Sequence, residues 1–226
     1  MNKTFSIDLF DGHLIFEDHG LKVLVDTGSP VTMGRDTHFE FMGQQHQCLT
    51  SIFGRGISDI SSLMGYDIDI LMGMDLLERF YIKTDYQGKE ITFSTDEIPF
   101  ESICSVPVMR ENGVVYVDLT VDGQTKRFAL DTGAKISYID NSFTHGETIV
   151  DTKEDFHPLT GNYSTPIFAK EATIGGQTIP VKFGNLPPEI AIILQIAGIY
   201  GAIGFDLFNA FTVLMDFKNN VLSLTK

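Results

Sequence analysis

The chain has 226 residues, 43% of them hydrophobic and 20% charged. That is room for one large domain or two of about 110 residues, and enough apolar surface for a core, which excludes a disordered or low-complexity protein. Sixteen Lys and Arg stand against thirty Asp and Glu, for a net charge of −14 with the deficit spread over both halves. No basic patch can gather phosphates, so nucleic acid is excluded as a partner, and an acidic surface repels anionic lipid, so a membrane is not expected either.

From the N-terminus, residues 1–8 lack the apolar core of a signal peptide. Thr4 to Phe10 and His13 to Glu17 alternate around Asp11-Gly12, a hairpin signal, and Leu21 to Val25 reads as the next strand. A short helix over Asp75 to Arg79 precedes strands Tyr81 to Thr84 and Ile91 to Ser94. The acidic, proline-bearing segment 95–101 is the candidate linker, dividing a first lobe, 1–98, from a second, 99–226. In the second lobe, Val114 to Val121 and Gln124 to Leu130 flank Asp122-Gly123, and Gly175-Gly176 marks a further hairpin. The longest apolar run, Ile190 to Phe205, is broken by Gln195 and three glycines, too short to span a bilayer. It reads as a helix over Glu189 to Ile196 followed by a buried strand. A helix over Asp206 to Ala210 and strands Thr212 to Asp216 and Val221 to Leu224 complete the chain. The two cysteines, Cys48 and Cys104, read as reduced thiols. With no leader or spanning segment, the expected location is the cytoplasm.

Two features recur in the same order. An apolar strand runs into Asp-Thr-Gly at Val25-Asp26-Thr27-Gly28-Ser29 and again at Leu130-Asp131-Thr132-Gly133-Ala134. Later, Gly73-Met74-Asp75-Leu76 is followed by Phe80 and Asp85, and Gly204-Phe205-Asp206-Leu207 by Phe211 and Asp216, at identical spacing. This is a duplicated module, and two copies suit two lobes about an approximate two-fold axis rather than a solenoid. Such an axis would bring Asp26 and Asp131 together. Two carboxyls about 3 Å apart cannot both ionise and so share one proton. The charged one can then take a proton from water while the neutral one polarises a carbonyl, without metal, cofactor or covalent intermediate.

These residues resemble the aspartic peptidases of the pepsin/retropepsin kind, here as a single chain with two Asp-Thr-Gly motifs. The signature is apolar-apolar-Asp-Thr-Gly with a later apolar-apolar-Gly, supplied by Ile70-Leu71-Met72-Gly73 and Ala202-Ile203-Gly204. The resemblance implies a mostly β, bilobal acid-protease-like β-barrel fold with pseudo-two-fold duplication and a few short helices. It also implies an endopeptidase acting on a peptide or protein substrate as a monomer. It assigns catalysis to Asp26 and Asp131, loop locking to Thr27 and Thr132, and support to Gly28, Ser29, Gly133, Ala134, Gly73 and Gly204. The alternative is a non-catalytic peptide- or protein-binding module on the same fold.

The interval from Asp131 to Gly204 is longer than that from Asp26 to Gly73, and the extra residues fall around Phe156 to Phe168. That run reads as a hairpin with its tip near Gly161-Asn162, a flap in the second lobe only. Thr160, Gly161, Asn162 and Tyr163 are its candidate substrate-binding residues, Tyr163 as a hydrogen-bond donor. Ser29 stands where the second copy has Ala134, so a Ser29 hydroxyl bonding Asp26 would leave the charge on Asp26 and the proton on Asp131. Met72, Met74, Ile139 and Ile203 are candidate pocket residues. His38, His46 and Cys48 fit no usual zinc spacing, so no metal is expected.

Overall fold

The computed structural model describes residues 1–52, 54–111 and 113–226. Strands dominate, in a ten-stranded and an eight-stranded sheet with two small hairpins. Leu21–Val25 and Gln124–Leu130, the strands entering the two motifs, each end in fully buried apolar residues. Each pairs in parallel with the strand leading to the later glycine: Val25 opposite Met72 on Ile70–Met72, and Leu130 opposite Ile203 on Ile199–Ile203. Parallel neighbours run the same way, so the later glycine emerges beside the aspartate loop in both copies.

The ten-stranded sheet is common to the two halves. The halves join in it by the antiparallel pairing of Tyr81–Asp85 with Thr212–Asp216, with Ile82 opposite Met215 and Lys83 opposite Leu214. The segment 95–103 joins the halves without strand structure, but neither that sheet nor the main core divides there. One apolar cluster runs from Phe5, Phe16 and Phe93 through to Phe128, Phe208 and Phe217.

The hairpin of the second half is built from Asp151–His157 and Gly161–Ile174. Its tip is Pro158 to Thr160, earlier than the Gly161-Asn162 tip expected from sequence: His157 pairs with Gly161, and the Thr160 N–H donates to the His157 carbonyl at 3.1 Å. Pro158 pre-sets the turn, and Gly161, at φ 77°, takes the left-handed position that follows a three-residue loop. Among the described residues between 38 and 60, no strand exceeds four residues.

Three further readings change. The helix Ile57–Met64, absent from the sequence reading, buries Ile57, Ile60 and Met64 at helical spacing and ends at Gly65 with φ 73°. The counterpart of the Asp11-Gly12 turn is the turn at Gly113, while Asp122-Gly123 answers to His19-Gly20. Gly12 lies against Lys135, just after the second motif, and Gly113 against Pro30, just after the first, so each lobe's first hairpin clamps the other lobe's motif loop. Finally, Met72, Met74, Ile139 and Ile203 are core residues rather than the pocket residues expected, each at most 2% exposed: Met72, Ile139 and Ile203 lie on paired strands and Met74 opens the short helix Met74–Leu77. The helix Pro188–Ile196 buries Ile190 but exposes Ile192, Ile193 and Ile196.

Candidate active site

The parallel pairing continues one residue beyond each motif strand. The Asp26 N–H donates to the Met72 carbonyl and the Asp131 N–H to the Ile203 carbonyl, both at 3.0 Å. The chain then turns inward, and the two loops interlock. The N–H groups of Thr27 and Thr132 each donate to the other's Oγ1 at 3.0 Å. The Thr27 hydroxyl donates to the Leu130 carbonyl at 2.6 Å and the Thr132 hydroxyl to the Val25 carbonyl at 2.7 Å. Buried hydroxyls are stable only when paired, and here each satisfies the backbone of the other half.

The crossing leaves no space for side chains at the following glycines. A Cβ on Gly28 would stand 2.6 Å from the Asp131 carboxyl carbon, and one on Gly133 would stand 2.7 Å from that of Asp26. Each carboxyl thus packs against the other motif's glycine, close enough for the charge of Asp26 to bear on Asp131. Each keeps some exposure to solvent, but the surrounding protein is dense. Burial pushes both up: Asp26 to about 6, held back by main-chain donors, and Asp131 well above the usual carboxylate range, driven further by the charge of Asp26. The shared proton therefore resides on Asp131 in the favoured microstate of the pair.

The source of this asymmetry differs from the sequence expectation. The Ser29 hydroxyl donates to the Val31 carbonyl at 2.8 Å. The loop folds back so that amides face the carboxylate: Asp26 Oδ1 accepts the N–H of Gly28 at 2.9 Å and of Ser29 at 3.0 Å. Asp131 Oδ1 accepts that of Gly133 at 2.9 Å; the Ser29 and Ala134 N–H groups both reach the main-chain carbonyl of their own aspartate at 3.3 Å, but only Ser29 also bonds the carboxylate.

Gly73 and Gly204 lie against the loops from behind. A Cβ at Gly73 would be 2.3 Å from the Val31 carbonyl oxygen, and one at Gly204 would be 2.3 Å from that of Ala134. A pair of side chains missed in the sequence reading completes this support. Thr32 donates to Asp75 and Ser137 to Asp206, both at 2.6 Å, and the same hydroxyls accept the N–H groups of Gly73 and Gly204. Both hydroxyls sit six residues after the aspartate and both carboxylates two after the glycine, so the repeat itself carried the signal.

Of the flap residues, Thr160 and Tyr163 line a groove of about 770 Å³ with Leu159, Pro187 and Glu189, beside the helix Pro188–Ile196. Gly161 and Asn162 do not line it, and neither do the two carboxyls. Tyr163 donates its hydroxyl to Tyr138 Oη at 2.7 Å. His46 is bonded to the Phe41 carbonyl and the Cys48 thiol to that of Asp36. Cys48 and Cys104 are both free. No described helix is long and apolar enough to cross a membrane.

The sequence matches no protein-family model and no curated protein. Among solved structures, an aspartic proteinase from Irpex lacteus aligns over 100% of this chain and 97% of its own, with a TM-score of 0.54 at 12% identity. A retropepsin-like aspartic protease from Rickettsia conorii aligns over 57% of this chain and 96% of its own (TM-score 0.38, 15% identity). The protease of Simian Foamy Virus (mac) aligns over 35% and 94% (TM-score 0.27, 15% identity). The chain is mostly β and has the fold of the pepsin-like aspartic proteinases. At these identities the likeness is one of fold.

Proposed function

We propose that this protein is an aspartic endopeptidase in which one chain supplies both catalytic carboxyls and works as a monomer on a peptide or protein substrate. What carries the reading is the facing of Asp26 and Asp131 across two loops locked by the reciprocal bonds of Thr27 and Thr132, each carboxyl packed against the other motif's glycine. Ionised Asp26 takes a proton from a water molecule, whose oxygen attacks the scissile carbonyl carbon. Asp131 gives its proton to the carbonyl oxygen, forming a neutral tetrahedral diol. Collapse of the diol returns one hydroxyl proton to Asp131, and Asp26 passes the proton it took to the leaving nitrogen. Thr160 and Tyr163 line the groove beside the hairpin, where a flap would hold part of an extended substrate, while Gly28, Gly133, Gly73 and Gly204 let the loops approach closely.

The test is hydrolysis of casein and a peptide library between pH 3 and 7, with and without a statine-type inhibitor, by the wild type and by Asp26→Asn and Asp131→Asn. Loss of cleavage in both variants is expected. Cleavage surviving either substitution would overturn the mechanism, and a wild type that binds peptides without cutting them would make the protein a binding module.

A further inference from the structure

Asp155 lies on the outer strand of the flap and is buried, at 8% exposure. Three donors face it. The Tyr138 hydroxyl donates to Oδ2, the Phe156 N–H to Oδ1 at 2.8 Å, and the Lys135 ammonium stands 3.8 Å from Oδ1. Lys135 in turn bonds Asp11 of the first lobe at 2.8 Å. Tyr138 accepts from Tyr163, so the bonds run in one direction, from Tyr163 to Tyr138 to Asp155.

Resting on the aspartic-peptidase reading, we propose that Asp155 is a positioning residue that fixes the direction of this chain, so that Tyr163 meets bound substrate as a hydrogen-bond acceptor. An ionised carboxylate only accepts, which commits the Tyr138 proton to Asp155 and leaves the Tyr138 oxygen to accept from Tyr163. The single Tyr163 proton is then spent inward, and its lone pairs face the groove that Tyr163 lines. A peptide laid there presents main-chain N–H groups, the donors such an oxygen takes. This reverses the donor role expected of Tyr163 from sequence. Burial first, then the charges of Asp155 and Asp131, push the Tyr163 phenol up, which keeps its proton in place.

Asp155→Asn is the informative change. The Asn oxygen stays with Phe156 and Lys135, so its NH2 faces Tyr138 and donates to it. Tyr138 then turns to donate to Tyr163, and the Tyr163 proton is released toward the groove. Asp155→Asn is expected to raise KM about three- to tenfold with kcat within about twofold of wild type, the loss of one hydrogen bond to substrate. Tyr163→Phe is expected to do the same, and the double variant to be no worse than Tyr163→Phe alone, because both remove one contact. A role confined to folding would instead multiply the two losses; that result, or an unchanged KM in Asp155→Asn, overturns the proposal. If Asp155→Asn does not fold, Tyr138→Phe takes its place in the same cycle. If the wild type cleaves no peptide, the peptidase reading falls separately, and this inference is decided by NMR of the tyrosine hydroxyl protons. The Tyr163 hydroxyl should be protected from exchange in wild type and unprotected in Asp155→Asn; equal protection in both refutes it.

Discussion

At Asp26 and Asp131 the protein keeps two acids where burial penalises charge, and stability must depend on their protonation. Both folded-state values lie above the unbonded value of 3.8, that of Asp26 at about 6. A raised acid contributes stability in full below its unfolded pKa and loses it as pH rises through its folded pKa. The pair therefore weakens the fold progressively from about pH 4 through pH 6 and beyond. Asp131→Asn removes the more strongly raised acid, so its melting temperature should exceed that of wild type at pH 8, with the gap closing toward pH 4. A gap constant with pH, or one of opposite sign, would show that the carboxyls are not strained by burial. Ser29→Ala makes a second residue-scale test. Since amides rather than the hydroxyl hold Asp26, the acidic limb of the pH–rate profile should stay in place. The stability cost should be about 0.5–1.5 kcal/mol, for the lost bond to Val31. Asp26, Asp131 and the two threonines were legible in the sequence because duplication singled them out. The destination of the Ser29 hydroxyl was not, because it depends on how the loop folds back before Pro30.

Among the elements, the close passage of each glycine unit behind a motif loop is the tightest constraint. In Gly204→Ala the new methyl would meet the Ala134 carbonyl oxygen at 2.3 Å. That atom is backbone, held by the Phe205 N–H at 3.1 Å, so the loop carrying Asp131 must shift. A loss of about 1–3 kcal/mol is expected, as for other overpacked sites, with a fall in kcat larger than any change in KM. An unaltered melting temperature and kcat would mean that the loop is free to yield. Strand pairs with alternating residues around Asp-Gly turns were readable one by one, because period-two patterning and turn chemistry are local. The helix Ile57–Met64 is equally legible, its Ile57, Ile60 and Met64 spacing ending in Gly65. The hairpin tip lies earlier than its composition suggests, because Gly161-Asn162 has the composition of a two-residue turn whereas Pro158 fixes a three-residue one. The inward bond of Tyr163 and the burial of Asp155 join residues from separate strands, and no local pattern announces them.

For the molecule as a whole, the shared sheet decides how the halves depend on each other. Cutting at 98 would leave Tyr81–Asp85 and Thr212–Asp216 as bare sheet edges, where they now pair over four residues. It would also expose Tyr86, which stacks on Phe208 of the other half with ring centroids 5.6 Å apart. Thr27, Thr132 and the Leu130 and Val25 carbonyls would lose their bonds together. Bare edges and buried polar groups without partners both oppose an autonomous fold, so the two lobes should behave as one cooperative unit. The intact chain, which has no Trp and seven Tyr, should lose its strand circular dichroism and its near-ultraviolet tyrosine signal in a single coincident transition. Fragments 1–98 and 99–226 made separately should be unfolded or aggregated, and should regain the intact spectrum only when refolded together. Two resolved transitions, or a fragment that folds alone as a monomer, would mean that each lobe is complete in itself and that the interlocked threonines join finished domains.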